Sequence, residues 1–118
     1  MRRDDRIRLQ HMLDAAREAL SFAEGHSRED LYGNRMLALS VVKCIEIVGE
    51  AASRIGQETQ REAPQVPWPD IVSMRNRLIH AYFDIDLDRV WDTIESDLPV
   101  LIEQLEELLS AEPHSPNG

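Results

Sequence analysis

Apolar residues recur along this chain at helical spacing almost from end to end. Leu9, Met12, Leu13, Ala16, Ala19, Leu20 and Ala23 predict a first helix over residues 5–24, which Gly25 ends. Ser27-Arg28-Glu29-Asp30 reads as a capping-box start. From there Leu31, Ala38, Val41, Val42, Ile45, Val48, Ala52 and Ile55 predict one long amphipathic helix to Gly56. Gly49-Glu50-Ala51-Ala52 puts small residues late in it, where another helix can come close. Residues 57–68 hold Pro64, Pro67 and Trp68 and read as an irregular connection, with one turn near Thr59–Glu62. Pro69 suits a first helical position, and Asp70 complements the dipole there. That helix is predicted to reach Phe83, with Asp86 capping the next. Leu87, Val90, Trp91, Ile94, Leu98, Leu101, Ile102, Leu105, Leu108 and Leu109 form the last stripe. Pro99 should kink or divide it, since proline removes a donor and crowds the preceding turn. No strand pattern or internal repeat interrupts this reading. The fold class is all-α, an up-and-down bundle of four main helices. It fills one domain over residues 1–110, with a frayed tail at 111–118.

Composition narrows the function. Hydrophobic residues make up 42% and charged residues 30%, an ordinary globular balance. The apolar runs are too short for a membrane span. Charge rather than an apolar stretch follows Met1-Arg2-Arg3, so no signal peptide is expected and the expected location is cytoplasmic. The single cysteine, Cys44, lies in an apolar stretch and reads as inert core. A net charge of −9 argues against a protein that coats nucleic acid non-specifically. It leaves room for a small cleft with a few arginines.

The chemistry concentrates in one octet, Arg75-Asn76-Arg77-Leu78-Ile79-His80-Ala81-Tyr82. Arginine offers a planar, permanently charged fork that matches a phosphate. Histidine gives and takes a proton near neutral pH. Asn76 precedes His80 by four residues and shares its helix face. Ile71, Met74, Leu78 and Tyr82 form the apolar stripe; Ser73, Asn76, Arg77 and His80 fall on the other face. Arg75 and His80 are about 140° apart on an ideal helix. That is too far for a short pair within one helix, and a second copy of the helix would complete a site. The same residues also fit a plain solvated face, and Tyr82 also fits the core.

Elsewhere the signals are weaker. His11, His26 and His114 scatter over a helix, a loop and the tail and read as surface. His80 and Asp84 are four apart, but a third ligand at suitable spacing is missing, so neither a metal nor a cofactor is expected. Glu103, Glu106 and Glu107 read as the solvated face of the last helix. Trp68 and Trp91 read as core or interface, because no basic residues interleave with them as in a base-stacking platform.

Taken together, Gly49-Glu50-Ala51-Ala52, Val66-Pro67-Trp68, Met74-Arg75-Asn76, Leu78-Ile79-His80-Ala81-Tyr82 and Asp97-Leu98-Pro99 resemble the HepT-like toxins of the HEPN superfamily. The resemblance covers about residues 5–109. Gln65 departs from it, since an acidic residue is usual there. The resemblance implies a homodimer with the two motif helices facing one cleft. It implies metal-independent endoribonuclease activity through Arg75 and His80, with Asn76 orienting the histidine or the phosphate. It implies a toxin–antitoxin pair, in which a partner nucleotidyltransferase transfers AMP to Tyr82. The alternative is a non-catalytic helical dimer that binds nucleotide, RNA or only its nucleotidyltransferase partner, since fold does not fix function.

Overall fold

A computed structural model describes residues 1–80 and 84–111. They form helices α1 (Arg3–Ala23), α2 (Arg28–Gly33), α3 (Arg35–Ser53), α4 (Gln57–Glu62), α5 (Trp68–His80), α6 (Leu87–Asp92) and α7 (Leu98–Ala111). A π-helical turn, Thr93–Asp97, joins α6 to α7. The class is all-helical, as the periodicity implies. The four main bodies are α1, α3, α5 and the composite α6–π–α7. None of these helices is long and apolar enough to cross a membrane.

The core follows the sequence stripes. Leu9, Met12 and Ala16 of α1 and Val41 and Ala52 of α3 lose all their surface, or nearly all, to helix packing. Val90 and Leu105 close the layer from the composite helix. Helix α1 packs along α3 and α7, whereas α5 packs chiefly on α3. Both tryptophans are buried, and Trp68 donates its indole N–H to the Ala63 carbonyl at 3.0 Å. Cys44 is buried too, and burial together with the nearby Glu18 carboxylate pushes its thiol up to about 11. A reactive thiolate is therefore scarce at neutral pH. Alkylation of the folded protein at pH 8 should run at least ~100-fold slower than that of the denatured chain, a difference that intact-mass spectrometry can follow.

Local chemistry explains where helices start and stop. Gly25 takes φ 79°, a left-handed conformation suited to ending α1. Ser27 and Asp30 form the expected capping box, and the Asp86 side chain accepts the Arg89 backbone N–H at 3.0 Å.

Three features differ from the sequence reading. The long second helix is broken: Asn34 is extended, and its side chain accepts the Leu37 N–H at 3.1 Å, capping α3. An asparagine that satisfies an orphan helix donor stabilises a fresh start more than helix continuity would. The last helix is divided, as expected near Pro99, but by a π turn ahead of the proline rather than by a kink. The Leu98 N–H reaches back to the Thr93 carbonyl. This five-residue step makes room for a ring that would crowd the Glu95 carbonyl in α geometry. Ala111 remains helical, and the rest of the expected tail, 112–118, lies outside the described residues.

One buried charge was not anticipated. Asp5 is 5% exposed and accepts from the Gly56 N–H (3.1 Å) and the Thr59 hydroxyl (2.6 Å). It ties the start of α1 to the α3–α4 turn. Asp5→Ala leaves two donors without their acceptor and should cost about 2–3 kcal/mol, read by chemical denaturation.

Candidate functional site

Residues 75–80 of the chemistry-bearing octet lie on α5, and their surroundings decide what each can do. Met74 and Leu78 face the core, with Ile71 partly buried beside them. Ser73, Asn76, Arg77 and His80 are exposed. The polar face assigned from the sequence is therefore solvated, with Asn76 and His80 one turn apart on it. His80 closes the described part of α5 and makes no hydrogen bond to any described residue. Tyr82 lies outside the described residues.

Arg75 is placed differently. Its side chain is only 19% exposed and packs directly over Gly49 of α3. A Cβ at position 49 would strike the Arg75 Cβ, approach its Cγ to 2.8 Å and approach the Ile71 carbonyl oxygen to 3.2 Å. Here α3 and α5 come close enough that only glycine fits. The small-residue stretch thus serves as the seat of the motif arginine.

The Arg75 guanidinium meets Glu50, Nη2 to Oε1, at 3.4 Å. The other Glu50 oxygen takes Arg54 through Nε at 3.0 Å and Nη2 at 2.9 Å. Arg75 Nε is buried without a hydrogen-bond partner among the described residues. With five N–H donors and one long contact, this guanidinium retains donors for an anion. It lines an open depression of about 630 Å³ between α1, α3 and α5, together with Arg8, His11, Lys43 and Arg54. Asn76 and His80 are not part of that lining. One protomer therefore brings Arg75 to its basic neighbours but not to His80, in keeping with the helical offset.

The sequence reading missed those neighbours. A signal was present: Lys43, Ile47, Glu50 and Arg54 recur at steps of three and four and share one helix face. His11 is indeed exposed, as expected. His26 is engaged locally, its ring nitrogen 3.1 Å from Asp30. Glu106, read as merely solvated, pairs with Arg17 at 2.6 Å. His114 lies outside the described residues.

A second cavity, of about 400 Å³, opens between α3, α5 and the π turn. It is floored by Ile45, Val48 and Met74 and rimmed by Arg89 and Asp97. It contains neither Arg75 nor His80.

Comparisons with known proteins converge. Residues 12–108 match the family model described as ribonuclease HepT-like. A protein of Methanocaldococcus jannaschii, named as a candidate RNase, is 31% identical over 105 residues, covering 89% of this chain and 96% of that protein. Another candidate RNase, from Caldanaerobacter subterraneus, is 34% identical over 104 residues, covering 88% and 93%. A candidate ribonuclease HepT of Thermococcus cleftensis is 34% identical over 100 residues, covering 81% and 91%. No solved structure matches with statistical significance. The family model spans most of the sequence and includes both Gly49 and the Arg75–His80 motif, so this chain belongs to the HepT-like ribonuclease family.

Proposed function

We propose that the chain is an endoribonuclease that cuts RNA without a metal ion, using Arg75 and His80. The observation that carries this reading is the seating of Arg75. A half-committed guanidinium, fixed over Gly49 and retaining free donors, suits a phosphate that gains charge during reaction.

The reaction needs little else. RNA supplies its own nucleophile, the ribose 2′-hydroxyl. His80 removes the 2′ proton, and the 2′-oxygen attacks the adjacent phosphorus. Arg75 stabilises the charge on the pentacovalent phosphorane. The bond to the 5′-oxygen breaks, and that oxygen leaves with a proton supplied by a second acid. The products are a 2′,3′-cyclic phosphate and a 5′-hydroxyl. Asn76, one turn from His80, orients the imidazole or a phosphate oxygen.

A homodimer supplies what one protomer lacks. The outward His80 of one copy meets the Arg75 of the other, and the paired cleft holds two histidines, one as base and one as acid. A twofold pairing uses the same patch on both copies. Light scattering at micromolar concentration should give a dimer; a monomer that still cleaves RNA would remove this part of the reading.

The chain acts as the toxin of a pair whose partner is a minimal nucleotidyltransferase. The Tyr82 phenol oxygen attacks the α-phosphorus of ATP on that partner, pyrophosphate leaves, and AMP stays on the tyrosine. Tyr82 follows Arg75 by seven residues. An added phosphate there would compete for the Arg75 guanidinium and repel RNA. The rival acceptor is Tyr32, 61% exposed, whose hydroxyl donates to Asp88 at 2.9 Å. Peptide mass spectrometry after co-expression should find AMP on Tyr82. Adducts on Tyr32, or a Tyr82→Phe protein still modified and silenced, would reject the assignment.

The function itself is tested by incubating total RNA with the purified chain in EDTA. Wild type should cleave, and His80→Ala should not. A need for added Mg²⁺ would overturn the reading.

A further inference from the structure

The chain has 22 acidic and 13 basic residues, yet one surface departs from that balance. The depression beside Arg75 is lined by Arg8, Lys43, Arg54 and Arg75, with His11 as a further titratable group. Two carboxylates, Glu46 and Glu50, share it. Glu50 is already committed to Arg54 and Arg75. Arg8 and Lys43 form no ion pair with any described residue, and neither does Glu46, so the lining sets four cations against two carboxylates. Two unpaired cations beside an arginine with spare donors make a surface complementary to a run of phosphates.

We propose that this groove, with Arg8 and Arg54 at one end, Arg75 over Gly49 in the middle and Lys43 at the other end, holds the backbone of single-stranded RNA flanking the cleaved bond. The inference rests on the RNA-cleaving reading above and adds the path of the strand. Among the described residues no Phe, Tyr or Trp lines the groove, and His11 is the ring there that a base can stack on. Ile47 and Ile79 offer only apolar contact to sugar or base edges. The described lining therefore reads mainly charge. Arg8 and Lys43 are binding residues here and take no part in proton transfer.

The test uses the full-length chain and a fluorescent 2′-O-methyl oligouridylate, which the proposed reaction cannot cut. Binding is measured by anisotropy across a salt series for wild type, for Arg8→Gln/Lys43→Gln, and for Arg35→Gln/Arg61→Gln as a control of equal charge change. The groove variant should bind about tenfold more weakly or worse, and its log K against log salt slope should fall by about 1.4, two single-strand phosphate contacts. The control should stay near wild type. Equal affinity and slope in groove and control variants would overturn the path. So would a change of oligomeric state confined to the groove variant, which would make this face a contact between copies. Cleavage of total RNA by wild type is read in parallel. Wild-type cleavage with a groove variant that binds normally rejects the path alone. Wild-type binding through the groove without any cleavage rejects the nuclease reading alone.

Discussion

His80→Ala is expected to lower the single-turnover rate of RNA cleavage by about 10²–10⁴-fold, the usual contribution of a positioned proton carrier. The fold should be untouched. His80 is exposed in the last described turn of α5 and contacts no described residue through a hydrogen bond, so its removal should shift stability by no more than ~0.5 kcal/mol. Arg75→Ala should lose about 10²–10³-fold through the charge it no longer stabilises. It should also cost about 1 kcal/mol, because its stem packs on Gly49. Glu50 keeps Arg54 as a partner in that variant, so no carboxylate is stranded. Circular-dichroism melts beside the kinetics separate the two effects. A His80→Ala protein that cleaves at the wild-type rate would end the proposed mechanism.

The second large effect is at Gly49. An added methyl normally stabilises a helix interior by about 1 kcal/mol relative to glycine. Here it meets the Arg75 Cβ and the Ile71 carbonyl oxygen, and neither can rotate away. Helix α5 must move outward from α3, its main packing partner. Overpacking of this kind costs about 1–3 kcal/mol and sometimes more. Gly49→Ala should therefore be net destabilising by about 2 kcal/mol, and melt roughly 8 °C lower for a chain of this size. Gly49→Val adds two further methyls at the same point and should do worse. Both should lose cleavage even well below the melting temperature, because Arg75 moves with α5. An alanine variant more stable than wild type would show that the two helices separate freely, and that Arg75 is not held as described.

Most of the helical frame was legible because it rests on local rules. Apolar residues at steps of three and four placed α1, α3, α5 and α7. Gly25, Ser27–Asp30 and Asp86 marked ends through single-residue chemistry that a reader of sequence can apply directly. The polar face of α5 was legible for the same reason. What escaped depends on contacts distant in the chain. Asp5 looks like an ordinary acidic first-turn residue until Gly56 and Thr59 are folded onto it. The π turn depends on how Pro99 is accommodated, and proline alone does not choose between a kink and an added residue. The break at Asn34 was readable, since a Gly-Asn pair before an apolar run is a start signal, but the unbroken stripe on either side masked it. The basic groove joins Arg8 to Arg54, which are far apart in sequence and adjacent only once α1 lies along α3. Gly49 sits between these cases: the small-residue stretch announced a close approach, and only the fold shows that Arg75 is what approaches.

The proposed reaction cuts RNA through the substrate's own 2′-hydroxyl, without a metal ion. The most direct measurement takes an RNA cleaved in the total-RNA assay and prepares it with a single 2′-deoxy residue at the cut site. Both forms are treated with wild-type protein in EDTA, and the fragment ends are read by mass spectrometry. The all-ribose form should be cut to a 2′,3′-cyclic phosphate and a 5′-hydroxyl, with no cut at the deoxy position. Cleavage of the deoxy form, 5′-phosphate ends, or activity that returns only with added Mg²⁺ would contradict the proposed reaction.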